Sequence, residues 1–353
     1  MIRATADVSP AALSAYDAVI DVRSPSEFAE DHLPGAINLP VLDDVQRAEV
    51  GTEYVQGSKF LARRRGAALV ARNIAAHLEG ALADRGGGFR PLVHCWRGGQ
   101  RSHAMATVMD QVGWHVTLLE GGYRTWRRAV VARLHEGDLG LKLTLLDGPT
   151  GCGKTALLGE LAARGLQTLD LEGLANHRGS LFGAMPGGQP SQKLFESRLF
   201  AAVEALDPTR PVVVEAESSK IGRLVLPRAM WSAMQTAPAV EITAPVAARA
   251  DFTCATYAEI ASNPAALDAA LSRLPRHLSK ALIAEWREMA AAGRVRDLAE
   301  ALIRQHYDPA YARSGAVRGR AALSRLDLAD LTGPSVAKAA AGLAPLIEPQ
   351  TAA

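Results

Sequence analysis

The stretch KLTLLDGPTGCGKTALLGELAARG, Lys142–Gly165, decides the architecture of the C-terminal half of this 353-residue chain. KLTLLDG is an apolar run suited to a buried strand, and ALLGELAARG carries helix formers up to a stopping glycine. Between them GPTGCGKT, Gly148–Thr155, matches G-x-x-x-x-G-K-[ST] without mismatch. Strand, glycine-rich loop and helix in that order make a phosphate cradle, because loop amides and the helix N-terminus converge on one anion. The expected phosphate-binding set is Gly148, Thr150, Gly151, Cys152, Gly153, Lys154 and Thr155. Lys154 would bridge diphosphate oxygens and Thr155 would hold Mg2+. Cys152 occupies a free position of the loop and reads as filler.

Beyond the cradle, QTLDLE (Gln167–Glu172), PVVVEAES (Pro211–Ser218) and AVEITAP (Ala239–Pro245) continue the strand series. A metal-positioning acid belongs at the end of a neighbouring strand. Glu215 and Glu217 are the candidates, with Asp170 and Glu172 as alternatives. After about Ala255 the pattern turns helical. From Lys338 on it is rich in alanine and proline, the composition of a frayed end.

Toward the N-terminus, LHEGDLG at Leu134–Gly140 has turn chemistry and marks a domain boundary. Before it, DAVIDV (Asp17–Val22), RPLVHC (Arg90–Cys95) and HVTLLE (His115–Glu120) read as buried strands separated by helices. That alternation implies a second parallel sheet covered on both faces.

The strand RPLVHC ends on Cys95, and SHAMATVMDQVG reads as a helix from near Ser102. WRGGQR must wrap the N-terminus of that helix, aiming amides and the helix dipole at the sulfur. Gly98 and Gly99 permit the wrap, and Arg97 and Arg101 add charge. Such surroundings favour thiolate. Cys95, Arg97 and Arg101 are therefore the candidate catalytic residues, and the reading requires a thiol open to solvent. His94, preceding the nucleophile on the strand, is expected to support the loop.

Net charge is only +2, with three widely spread cysteines and no apolar run long enough to span a membrane. The N-terminus lacks a signal-peptide pattern, and a cytoplasmic location is expected. Positive charge is nevertheless clustered at Lys59–Gly66, Tyr123–Arg128, Arg273–Lys280 and Arg313–Arg320. Each cluster suits either a phosphate-bearing partner or a solvated helix face.

Spacing of five residues between Cys95 and Arg101 is that of cysteine-dependent phosphatases, one longer than the common sulfurtransferase loop. The segment DVRSPSEFAEDHLPGAINLP, Asp21–Pro40, resembles the rhodanese signature and implies that fold. The order of parts, together with EGGYRTWRR (Glu120–Arg128), DLEGLANHRGSLFG (Asp170–Gly183), QPSQKLFE (Gln189–Glu196), EAESSKIG (Glu215–Gly222) and HYDPAY (His306–Tyr311), resembles bacterial tRNA 2-selenouridine synthases. The resemblance implies an α/β chain with a rhodanese-like parallel-sheet domain at 1–135. A P-loop NTPase-like domain with a helical C-terminal part would follow at 141–335, and a flexible tail at 336–353.

It also implies a selenium transferase with geranyltransferase activity. Geranyl diphosphate would alkylate 2-thiouridine at the tRNA wobble position, and selenophosphate would then supply selenium through a Cys95 perselenide. A selenophosphate-supplying enzyme is an implied partner, and the anticodon loop the implied RNA contact. Trp96 and Tyr123 are candidate stacking platforms for the wobble base, though either ring serves equally as core packing. Arg124, His177 and Arg178 are candidate tRNA contacts. Two other readings stay open: a cysteine-dependent phosphatase or sulfurtransferase fused to a kinase-like domain, and a non-enzymatic tRNA-binding module.

Overall fold

The computed structural model describes residues 2–274, 278–314 and 322–348. The chain divides into two compact units, Met1–Gly137 with Pro190–Ala205, and Asp138–Gln189 with Leu206–Ala353.

The first unit is built on β1 (Arg3–Thr5), β2 (Ala18–Asp21), β3 (Ile37–Asn38), β4 (Pro91–His94) and β5 (Thr117–Leu119). Their order is β1-β5-β4-β2-β3, every pairing parallel. β4 is buried along its whole length, which is why it reads as a continuous apolar run rather than an alternating one. The short strands β1 and β3 escape the sequence reading because three and two residues carry too little period.

The signature Asp21–Pro40 folds as a polar knot at the end of β2. Arg23 and Asp21 form a fully buried ion pair at 2.5 Å, and Arg23 also donates to the Asp31 carbonyl at 2.7 Å. Asn38 ties the strand ends together through Nδ2, donating to the carbonyls of Asp21 and Arg23, both at 2.9 Å. A buried charge pair persists only when its remaining donors are satisfied, and here they are.

Helix Gln192–Glu204 belongs to the first unit although it lies inside the expected 141–335 domain. Its Leu194, Phe195, Leu199, Phe200 and Val203 are buried. Trp126 meets the Phe200 ring edge-on at 4.9 Å, and its Nε1 donates to Ser197 Oγ at 2.9 Å. Arg127 pairs with Glu196, and Arg133 with Glu204 at 2.7 Å. The basic YRTWRR segment is thus partly spent on packing this helix.

The second unit carries β6 (Lys142–Asp147), β7 (Gln167–Leu169), β8 (Pro211–Glu215), the two-residue hairpin strands β9 (Lys220–Ile221) and β10 (Leu224–Val225), β11 (Ala239–Thr243) and β12 (Ala322–Asp327). The main sheet runs β12-β11-β6-β8-β7, all parallel. Its central strand β6 feeds the loop Gly148–Gly153 and then helix Lys154–Ala163. The helical region after Ala255 contains the edge strand β12, whose polar, exposed alternation hid it in the sequence.

One expectation needs correction at the C-terminus. Residues 336–347 of the expected tail belong to helix Gly333–Ile347, which buries Val336, Ala340, Leu343 and Ile347 against the core around Leu157, Leu161 and Val213. That i, i+4, i+7, i+11 spacing is an apolar stripe, which the alanine-rich composition obscured. Residues 349–353 lie outside the described residues, as do parts of the basic clusters Arg273–Lys280 and Arg313–Arg320.

Candidate functional sites: a thiol loop and a phosphate cradle

Cys95 follows β4 directly, and helix Gln100–Val112 begins after Gly99. The Gly99 amide donates to Sγ at 3.2 Å, and the Ser102 hydroxyl stands 3.3 Å from Sγ and 3.1 Å from the Gly99 carbonyl. One hydroxyl proton cannot serve both acceptors, so an ionised sulfur draws it. Burial pushes the Cys95 pKa up. The hydrogen bonds from Ser102 and the amides of Arg97 and Gly99 outweigh that and hold it below the usual thiol value.

EGGYRTWRR supplies the underside of the loop. The amides of Tyr123 and Arg124 donate to the carbonyls of Cys95 and Trp96, at 2.8 and 3.2 Å. Gly122, at φ +61°, brings its backbone so close that a Cβ would lie 2.3 Å from the Cys95 carbonyl oxygen and 2.5 Å from Gly98 N. Only glycine fits there.

The expected guanidinium partners of the sulfur are corrected. Arg101 is bound to Glu27 at 2.7 Å, inside the signature segment, and the Arg97 side chain is exposed while its amide faces the sulfur. Backbone amides and a hydroxyl, not arginines, stabilise the thiolate. The expectation of an open thiol is also corrected: Cys95 is 3% exposed. The wrapped loop that supplies the donors also covers the sulfur, so a donor molecule must displace part of that cover.

His94 is fully buried, its Nδ1 3.8 Å from Asp21, and burial lowers its pKa despite that carboxylate. Both its ring nitrogens are buried without a hydrogen-bond partner, the environment of a neutral imidazole. Tyr123 is no stacking platform. It is 2% exposed, its hydroxyl donates to Asp31 at 2.6 Å, and its ring lies between the Arg23 guanidinium at 4.1 Å and Trp96 at 5.0 Å. Burial of a large ring with its hydroxyl satisfied is core packing. Trp96 is half-buried against it, and Arg124 is exposed.

In the second unit the cradle opens on a cavity of ≈ 770 Å³ lined by Gly148 and Thr150–Thr155. Gly151 and Gly153 take φ +82° and +79°. Lys154 Nζ donates to the Gly148 carbonyl at 2.8 Å. Burial works against its charge, and the neighbouring Cys152 sulfur together with the carboxylates of Glu217, Glu215 and Glu172 outweighs that and raises its pKa. Cys152 is 1% exposed, its amide donates to Pro149 O at 3.3 Å, and burial raises its thiol pKa. It is a neutral core thiol.

Glu172, Glu215 and Glu217 each bring an oxygen within 4.8 Å of the others. Both oxygens of Glu215 are buried without a hydrogen-bond partner. Burial and mutual repulsion raise the pKa of Glu215 to about 7 and of Glu172 to about 9, while burial raises that of Glu217. Asp170, the other alternative, instead caps its helix through the Gly173 amide at 2.7 Å. Three crowded carboxylates beside Thr155, one with orphaned oxygens, are a donor set for a hard divalent cation.

A cation binding there must displace protons, because it needs the ionised carboxylates. The rise in thermal unfolding midpoint produced by millimolar Mg2+ should therefore grow between about pH 6.5 and about pH 9. Without the ion the folded chain holds more protons than the unfolded one in that window, and these groups lose stability as pH rises. Glu215→Gln should abolish the Mg2+ increment. An increment independent of pH, measured by scanning calorimetry, would count against the cluster as ligand.

Arg249 escaped the sequence reading, since a lone arginine in an alanine-rich helix carries no signal. It is 3% exposed, donates twice to the Thr150 carbonyl at 3.0 and 2.7 Å, and pairs with Asp308 at 2.6 Å. Tyr311 of the same HYDPAY block donates to Asp147 at 2.9 Å. Arg178 lines the cavity with its guanidinium 5.2 Å over the Tyr257 ring, placing it toward the cradle. His177 is half-buried, and burial lowers its pKa. Gly179 follows at φ +63°, where a Cβ would lie 2.4 Å from a Glu172 oxygen. The HRGS turn therefore closes directly on the carboxylate cluster.

A family model described as the tRNA 2-selenouridine synthase AAA domain matches residues 141–332, and a rhodanese-like domain model matches residues 6–129. Among curated proteins, the tRNA 2-selenouridine synthase of Nitrosomonas europaea is 35% identical over 66% of this chain and 61% of its own length. That of Aeromonas salmonicida is 38% identical over 66% of this chain and 62% of its own length. The matched region thus spans about three fifths of these relatives.

Proposed function

Because the chain belongs to the tRNA 2-selenouridine synthase family, we propose that it exchanges the sulfur of wobble 2-thiouridine in tRNA for selenium, through an S-geranylated intermediate. The observation that carries this reading is the Cys95 sulfur held below its usual pKa by amide and hydroxyl donors. The same donors would hold an anionic selenium bound to that sulfur.

In the first step the cradle and Lys154 bind the diphosphate of geranyl diphosphate; Thr155, Glu172, Glu215 and Glu217 would hold a divalent cation beside it. The thiocarbonyl sulfur attacks the geranyl C1, and pyrophosphate leaves with the bonding pair. A divalent cation bound there would supply charge neutralisation of that leaving group. In the second step the Cys95 thiolate attacks the selenium of selenophosphate. The Se–P bonding pair departs with phosphorus, so the co-product of perselenide formation is phosphite. The perselenide then attacks C2 of the base and expels geranylthiol, which is a better leaving group than the original sulfur. A thiol reductant cleaves the remaining S–Se bond and frees 2-selenouridine.

Mass spectrometry of nucleosides from 2-thiouridine tRNA tests the order. Omitting selenophosphate should leave S-geranyl-2-thiouridine, and omitting geranyl diphosphate should leave 2-thiouridine. Selenouridine formed without geranyl diphosphate would overturn the two-step reading. Phosphate in place of phosphite would overturn the perselenide and point to direct attack by selenophosphate on C2.

A further inference from the structure

A second cavity, of ≈ 60 Å³, adjoins the phosphate cradle. The two share Thr150, Ser180, Thr253, Tyr257 and Tyr307 on their walls. Thr150 is a residue of the cradle loop itself. On the shared wall the hydroxyls of Ser180 and Tyr257 are hydrogen-bonded at 2.9 Å. Past that wall every described lining residue is apolar, with Phe182, Cys254, Leu267, Leu298 and Leu302 prominent. Leu267, Leu298 and Leu302 belong to the same buried cluster as Trp286, so packed helices form the cavity's walls.

We infer that this apolar cavity receives the end of the hydrocarbon tail of a diphosphate ester whose head lies in the cradle. The inference rests on the cradle binding a diphosphate, as proposed above, and adds where the rest of that ligand goes. A nucleoside base needs donors and acceptors on its edges, and the far part of this cavity offers neither among the described residues. A branched hydrocarbon needs only apolar contact and exclusion of water. The proximity of an anion cradle and a dry apolar pocket, divided by one hydroxyl-lined wall, matches an amphiphile of alkyl diphosphate type rather than a nucleotide. The residues that set the accepted chain length are then Cys254 on helix Val246–Thr256 and Leu298 and Leu302 on helix Val295–Leu302.

Calorimetric binding of inorganic pyrophosphate, dimethylallyl, geranyl and farnesyl diphosphates and GDP tests this without tRNA. In the unaltered protein, affinity should rise from pyrophosphate to geranyl diphosphate, with GDP no tighter than pyrophosphate. Cys254→Leu, which fills the cavity, should weaken geranyl diphosphate about tenfold or more and leave pyrophosphate unchanged. Leu302→Ala, which enlarges it, should raise the farnesyl-to-geranyl affinity ratio by a similar factor, again with pyrophosphate as the check that the fold is intact. Geranyl diphosphate binding no tighter than pyrophosphate, or both variants keeping the original chain-length profile, overturns the tail pocket while leaving the cradle reading standing. Pyrophosphate binding that is absent, or indifferent to Lys154→Ala, overturns the cradle reading itself.

Discussion

Replacing Cys95 with serine should remove 2-selenouridine from the product while S-geranyl-2-thiouridine accumulates at the usual rate. The expected loss in selenium incorporation is on the order of a thousandfold or more, because a hydroxyl in the same cradle stays protonated at neutral pH. Serine nearly preserves the size of the side chain, so Gly99 and Ser102 keep an acceptor at the same place. The fold should therefore survive, and unfolding midpoints measured alongside would show it. Ser102→Ala offers a graded counterpart. It removes one of the donors that outweigh burial, so the pH profile of Cys95 alkylation should move to higher pH. A profile unchanged in Ser102→Ala would mean that the amides alone set the thiol's ionisation. Serine at position 95 still installing selenium would remove the thiol from the chemistry. The 3% exposure of Cys95 adds a rate criterion. Alkylation should be slower than that of a free thiol of the same pKa, since the loop must first uncover the sulfur.

Lys154→Ala should reverse the pattern. Geranylation should fall by about 10²–10³-fold, the usual cost of losing one preorganised charge on a developing anion, while pre-geranylated tRNA is still converted to the selenium product. Lys154 is the cation that Glu172, Glu215 and Glu217 face, and its own pKa is raised by them. Without it the site lacks a positive charge beside the diphosphate, which Mg2+ at high concentration should partly replace, restoring part of the lost rate. Normal geranylation by Lys154→Ala would assign the cradle to another phosphate ligand. Loss of both steps in this variant would deny the division of labour between the two sites.

Much of this site was written locally. GPTGCGKT needs no distant partner to declare itself, because the loop's conformation follows from its own glycines and the helix it starts. The same holds for Cys95 at the end of an apolar strand and ahead of a helix. Glu215 and Glu217 were legible as strand-end acids. Their companion was undecided between Asp170 and Glu172, because the choice depends on which side chain caps the short helix Leu171–Ala175 and which turns toward β8.

What the sequence by itself determined, then, is two parallel sheets, the glycine-rich loop between strand and helix, and the place of the thiol, since each rests on hydrophobic runs and glycines adjacent in the chain. Tertiary structure alone decided which groups ionise the thiol, sending Arg101 to Glu27 and Ser102 to the sulfur. It also placed Arg249 on the Thr150 carbonyl, drew helix Gln192–Glu204 into the first unit and docked the alanine-rich final helix. These outcomes turn on contacts between residues far apart in sequence, where competing partners of similar chemistry are separated only by packing.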